Sequence, residues 1–121
     1  MRVCVKHVQK VSGYVTKDGS WVRELLHPNQ DPVQGFSVAH AELEAEAKTQ
    51  PHYHQQAVEV YYILEGRGVL RLGDREYEVK PGIIALIPPN IVHSLRAKER
   101  IRLLCFSIPA YRHEDTVLCD R

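Results

Sequence analysis

Pro51 to Gly66 reads PHYHQQAVEVYYILEG. Residues at i and i+2 of a strand share a face, so His52 and His54, on a short extended segment, stand side by side and can converge on one ion. Gln55 to Val58 then let the chain cross to a neighbouring strand, and a carboxylate at its start, Glu59, can reach the same centre. From Val58 to Glu65 the residues suit a half-buried strand. Tyr61 and Ile63 share the parity of Glu59 and point inward with it, whereas Val58, Val60, Tyr62 and Leu64 form an apolar stripe on the opposite face. For an isolated pair of histidines, exposed side chains or hydrogen-bonded core residues would be the better explanation, so the surroundings have to decide.

Outward from this stretch, short runs rich in β-branched and aromatic residues recur between Gly, Pro, Asn and Asp, a pattern of all-β sandwiches and barrels. The periodicity predicts strands at Arg2–Val8, Trp21–Leu26, Phe36–Leu43, Pro51–His54, Val58–Glu65, Gly68–Leu72, Glu76–Lys80, Ile83–Ile87, His93–Arg96 and Ile101–Ile108. Gly73-Asp74 and Lys80-Pro81-Gly82 read as turns, and Pro88-Pro89-Asn90 interrupts any ladder because proline has no amide hydrogen to donate. Only Ala39–Lys48, AHAELEAEAK, has helical propensity, and strand plus turn fits it equally. The polar residues after Pro109 read as a tail packed on the outside of the barrel.

Composition narrows the function. The 121 residues suffice for one hydrophobic core and are too few for two. Lys and Arg number 16 against 15 Asp and Glu, with neither sign gathered into a stripe, which makes nucleic acid and anionic membranes poor partners. Cys4, Cys105 and Cys119 are an odd, scattered set without a CxxC pair, as expected for a reducing cytoplasmic setting. The amino-terminal segment carries Arg2, Lys6 and Lys10 within its apolar pattern, so it does not read as a signal peptide, and no segment approaches the ~20 apolar residues of a membrane span.

His93, just beyond the double-proline turn, offers a fourth ligand, and here the sequence resembles the cupin superfamily, in particular small single-domain bacterial cupins. The first cupin motif is Gly, five residues, HxH, three or four residues, Glu, six residues, Gly; His52, His54, Glu59 and Gly66 stand at those spacings. The second is Gly, five residues, Pro, one residue, Gly, two residues, His, three residues, Asn, and Gly82, Pro88 and His93 match it. The resemblance implies a double-stranded β-helix (jelly-roll) barrel formed by one domain over 1–121, with its motifs within 49–97 and a tail over 109–121. Three departures stand out: Glu46 replaces the first glycine, Asn90 the inner glycine of the second motif, and Ala97 the final asparagine. Asn is the non-glycine residue best suited to a left-handed conformation, so the turn at Asn90 survives.

Three imidazoles and a carboxylate suit one divalent transition metal, manganese, iron, zinc, nickel or copper, and a six-coordinate ion keeps two positions for water or substrate. The expected function is that of a small metal-dependent enzyme, an isomerase, lyase or dioxygenase, acting on a compact oxygen-rich metabolite such as a sugar acid or keto acid. A non-catalytic module that binds a small ligand through its metal is the alternative, and a barrel merely stapled by four-coordinate zinc, with no cavity, is a third reading. Tyr61 is the candidate catalytic side chain, with a core aromatic as the plainer explanation. His40, His7, His27 and His113 read as surface or packing residues and Cys105 as a small buried hydrophobe. The stripe at Val58, Val60, Tyr62 and Leu64 predicts a homodimer, with Arg2–Val8 joining the partner's sheet.

Overall fold

The computed structural model describes all residues 1–121. It contains no α-helix, only two 3-10 turns, Val8–Lys10 and His113–Asp115. Eleven strands follow in chain order: β1 (Gly13–Val15), β2 (Trp21–Leu26), β3 (Ser37–Leu43), β4 (His52–His54), β5 (Val58–Glu65), β6 (Gly68–Leu72), β7 (Arg75–Val79), β8 (Ile84–Ile87), β9 (His93–Ala97), β10 (Ile101–Ile108) and β11 (Thr116–Leu118). They form two antiparallel sheets, a six-stranded one ordered β1-β2-β3-β10-β5-β8 and a five-stranded one ordered β11-β4-β9-β6-β7. This is the expected all-β jelly-roll architecture.

Most strands lie where alternation and turn residues predict them, and four keep the expected bounds. Arg2–Val8 does not form a strand: it finds no ladder partner within the chain, and Val3 and Val5 are each 91% exposed. An extended segment without a neighbouring strand has nothing to satisfy its backbone groups except water. The segment Ala39–Lys48 resolves as strand and turn, because Ala39 and Ala41 pair across β3 with Cys105 and Leu103 of β10 and help fill the core. Helix propensity is a weak prior that packing overrides.

Successive cross-strand rows inside the six-stranded sheet change character along the barrel. The row Ala41–Leu103–Ile63 is apolar, the next is Ala39–Cys105–Tyr61, and the third is Ser37–Ser107–Glu59. One end is therefore a dry core around Ile63, Leu70 and Ile101, all nearly inaccessible, and the other is a polar chamber, where Ile87 stands opposite Glu59. On the facing sheet His93 pairs with His52 on one side and Leu72 on the other, so the same gradient runs through both walls.

Two substitutions in the tight turns are intelligible from backbone geometry. Glu46 and Asn90 take positive φ, 71° and 67°, so both positions keep the left-handed bend without glycine. Gly66 is different: its φ is 86°, and a Cβ there would overlap the carbonyl of Arg100. Gly66→Ala should therefore lower stability by about 2–4 kcal/mol, whereas Gly82→Ala, at φ 94° with open space around it, should cost only the ~1–2 kcal/mol of the left-handed conformation. Denaturant unfolding of the two variants measures the difference, and equal losses would refute the steric account.

Candidate metal centre

The three histidines and Glu59 come from strands β4, β5 and β9, and their ligand atoms all lie within 4.8 Å of one another. All four residues are buried, His93 completely. Burial at this density is tolerated only because each polar atom is assigned. His52 Nδ1 lies 2.7 Å from the carbonyl of Gln50, His93 Nδ1 2.9 Å from that of Ile91, and His54 Nδ1 3.1 Å from the Thr116 hydroxyl. Carbonyls only accept, so Nδ1 of His52 and His93 carries the hydrogen. Thr116 donates its own hydrogen to the Arg112 carbonyl at 3.3 Å, which leaves its oxygen free to accept from His54. In the neutral rings, the Nε2 lone pairs are then free.

Those Nε2 atoms face carboxylates. His54 and His93 approach Glu59 Oε1 at 3.1 and 3.2 Å, and His52 approaches Asp18 Oδ2 at 3.4 Å. Nitrogen lone pairs turned toward carboxylate oxygens need a proton or a cation between them, and the donor set, three imidazoles and a carboxylate, fits a divalent transition ion. Burial alone would raise the Glu59 carboxyl, but hydrogen bonds from His54 and His93 outweigh it and hold it well below the usual range. Burial, reinforced by the charge of His93, lowers His52. His54 moves up despite its burial, because Glu59 favours its charged form.

The chain supplies three features that spacing alone did not reveal. Asp18 stands in the Thr16–Ser20 turn, where Oδ1 accepts from the Thr16 hydroxyl at 2.6 Å and from the Ser20 amide and hydroxyl at 2.9 and 2.7 Å, so that Oδ2 is aimed at His52. Its sequence, TKDGS, signals a turn and nothing more. The tail is the second: it pairs as β11 with β4, setting Thr116 opposite His54, and Tyr111 joins the wall of the cavity. Burial pushes the Tyr111 hydroxyl up to about 12. The third is Asp115, buried, which accepts from the amides of Gln56 and Ala57 at 2.8 and 3.1 Å and so clamps the loop between His54 and Glu59.

A cavity with about 50 Å³ open to the centre of a water-sized sphere is lined by His52, His54, Glu59, Tyr61, Cys105 and Tyr111, among others. One water needs roughly 10–15 Å³ on that measure, so the space suits a compact molecule. Tyr61 is buried with its ring 6.0 Å from that of His93. Burial, with the charge of Glu59 added, raises its hydroxyl well above the ordinary value. Burial likewise raises the Cys105 thiol, which keeps it protonated and a poor nucleophile. His40 is buried on the outer side of β3 with Arg102 at 3.3 Å, remote from this cluster in role, and His27 accepts from the Asn29 amide and contacts the Tyr111 carbonyl.

Asp115→Ala would leave the Gln56 and Ala57 amides without acceptors, at a cost of about 2–4 kcal/mol. A drop of that size in denaturant unfolding, smaller in Asp115→Asn, is the expected result; an unchanged midpoint would show that the tail does not brace the loop.

Comparison with known proteins agrees with the geometry. A family model described as Cupin domain matches residues 39–115. An uncharacterized protein of Methanocaldococcus jannaschii is 40% identical over 122 residues, covering 99% of this chain and 98% of that one. The L-ectoine synthase of Oceanobacillus iheyensis is 29% identical over 110 residues, 88% of this chain and 84% of its own. Among solved structures, ectoine synthase from P. lautus superposes with a TM-score of 0.80 at 24% identity, over 97% of this chain and 90% of that one. Barrel, motif order and family match converge: the chain belongs to the cupin family.

Proposed function

We propose that this chain is a single-domain cupin enzyme, residues 1–121, in which His52, His54, Glu59 and His93 hold one divalent transition-metal ion. Its substrate is a compact, oxygen-rich metabolite such as a sugar acid or keto acid, transformed by isomerisation, elimination or oxygenation. The observation that carries the reading is the arrangement of the imidazoles: each Nδ1 is tied to an oxygen of the protein, and each Nε2 is turned toward a carboxylate beside a cavity. A divalent ion bound there supplies Lewis acidity, polarising a carbonyl and easing loss of a neighbouring proton.

The chain's own side chains do the rest. Gln50, Ile91 and Thr116 orient the rings through Nδ1, an arrangement that typically governs metal affinity by 10–100-fold. Tyr61, proposed as the catalytic side chain, keeps its proton because burial disfavours the phenolate, so it acts as a hydrogen-bond or proton donor toward the substrate. A barrel merely stapled by its ion would leave no space beside the ligands, whereas His52, His54 and Glu59 line a cavity. The resemblance to L-ectoine synthases in sequence supports an enzyme over a non-catalytic binding module.

The proposed setting is cytoplasmic, in keeping with three free cysteines, and neither nucleic acid nor membrane is a proposed partner. No helix is long and apolar enough to cross a membrane. The proposed assembly is a homodimer. Val60 and Tyr62 stand on the outer face in register with Leu86 and Ile84 of the edge strand β8, and these two are 64% and 67% exposed. Covering such a face with a second copy is the simplest remedy, and the exposed Arg2–Val8 segment would then find the strand neighbour it lacks.

Metal analysis of the protein as isolated should give roughly one ion per chain, and His52→Ala should lose it together with turnover in a screen of sugar acids and keto acids. Turnover unchanged in His52→Ala would remove the metal mechanism. Thr116→Val, which keeps the side-chain shape, should weaken ion binding about 10–100-fold in a chelator competition. For the assembly, light scattering should return twice the 13.9 kDa chain mass, shifting to the single mass in Leu86→Glu; a monomeric wild-type protein at micromolar concentration would sink the dimer.

A further inference from the structure

Four carboxylates stand in the cavity wall beside His52 and His54. Asp18, Glu24, Glu42 and Glu59 line it, and no lysine or arginine does. Three of these carboxylates are accounted for. Glu59 holds His54 and His93, Glu42 meets Arg100 at 2.7 Å, and Asp18 is fixed by Thr16 and Ser20 with its second oxygen toward His52.

Glu24 is the exception. Its Oε1 lies 3.4 Å from the Tyr14 hydroxyl, and its Oε2 is buried with no hydrogen-bond partner. The residue sits on β2 opposite Ala39, in the row that continues through Cys105 to Tyr61, one inward row from Glu59. Glu24 and Tyr111 also line the outer groove with Tyr14, His27, Arg112 and His113, so this carboxylate stands between the chamber and the outer groove. An ionisable oxygen stripped of water and left without a donor is expensive, and structures keep such groups where a ligand completes them.

We propose that Glu24 is a specificity-determining residue that receives a protonated amino group, so that the preferred metabolite carries a cationic nitrogen at one end and the oxygens that meet the His–Glu cluster at the other. This rests on the metal-dependent reading above and narrows its substrate class. Burial raises the Glu24 carboxyl against the opposing pull of His27 and of the Tyr14 hydrogen bond; an incoming ammonium would supply a donor to the unpartnered Oε2 and a positive charge beside it. A second carboxylate on the substrate would instead meet Asp18, Glu24 and Glu59 in a cavity wall that holds no lysine or arginine, so the wall disfavours dicarboxylic acids as it selects amino-substituted ones.

Three four-carbon acids that share a 2-hydroxycarboxylate end test this: 2-hydroxy-4-aminobutyrate, 2,4-dihydroxybutyrate and malate, whose far ends are cationic, neutral and anionic. Calorimetric titration into ion-loaded wild-type protein should show the amino acid binding at least about tenfold tighter than the neutral compound, and malate weakest. Glu24→Gln should remove the lead of the amine, leave the neutral compound within about twofold, and strengthen malate. Malate equal to or tighter than the amine, an amine lead that persists in Glu24→Gln, or binding of none of the three would overturn the proposal. Should Glu24→Gln fail to fold, the wild-type ranking decides alone. Metal content measured on the same samples separates the two levels: protein that holds its ion but shows no preference for the amine refutes the role of Glu24 only, and protein that takes up no ion refutes the metal reading and this proposal with it.

Discussion

A carboxylate sealed inside a β-barrel is the constraint to which the polar half of this molecule answers. Glu59 is 6% exposed, and an unpaired charge in that position would cost several kcal/mol. It is tolerable because His54 and His93 both reach Oε1, and they can do so only if their rings are held by their other nitrogens. That requirement passes outward, from Glu59 to the imidazoles, from the imidazoles to Gln50, Ile91 and Thr116, and from Thr116 to the backbone of Arg112. Each step places a demand on a different strand, so the cluster exists only when the two sheets are closed over it.

The same strands build the dry core, and they do so without changing their geometry. Inward positions on β3, β10 and β5 form successive rows, and two steps of two residues along each strand carry the wall from Ala41, Leu103 and Ile63, through Ala39, Cys105 and Tyr61, to Ser37, Ser107 and Glu59. Antiparallel register makes this possible, because it sets side chains of like depth beside one another on adjacent strands. A slip of one residue in β5 would turn Glu59 to solvent and bring Val58 or Val60 inside, removing the site and the core contact of Ile63 together. Stability and chemistry therefore depend on one register.

This also explains how much was legible beforehand. Period-two alternation located β2, β5, β6 and β10 at their observed bounds, and strand parity put His52 beside His54, whereas the grouping of this pair with Glu59 and His93 was legible through the resemblance to the two cupin motifs. Asp18, Glu24 and Tyr111 were not legible. Each reaches the cavity through a loop path or a strand crossing that leaves no local signature: Asp18 looks like an ordinary turn residue, Glu24 like one polar position in WVRELL, and Tyr111 like part of a polar tail. The apolar-looking Arg2–Val8 failed for the opposite reason. It has the local pattern of a strand, but a strand is completed by a neighbour, and the chain alone provides none.

The tail shows why such distant contributions are physically necessary. The loop from Gln55 to Ala57 must turn sharply between two clustered side chains, and its amides point away from any ladder; without acceptors they would be left unsatisfied. Asp115 supplies both carboxylate oxygens to Gln56 and Ala57 and its own carbonyl to Gln55, while the next residue, Thr116, holds His54. Two consecutive residues thus brace the loop and aim a ring, and the pairing of β11 with β4 fixes their phase relative to His52 and His54. A site that depends on side chains held to within fractions of an ångström needs this kind of support from outside its own motif. The segment after Pro109 is therefore part of the centre rather than an appendage to it, since loosening it would free His54 and the turn leading to Glu59 at once.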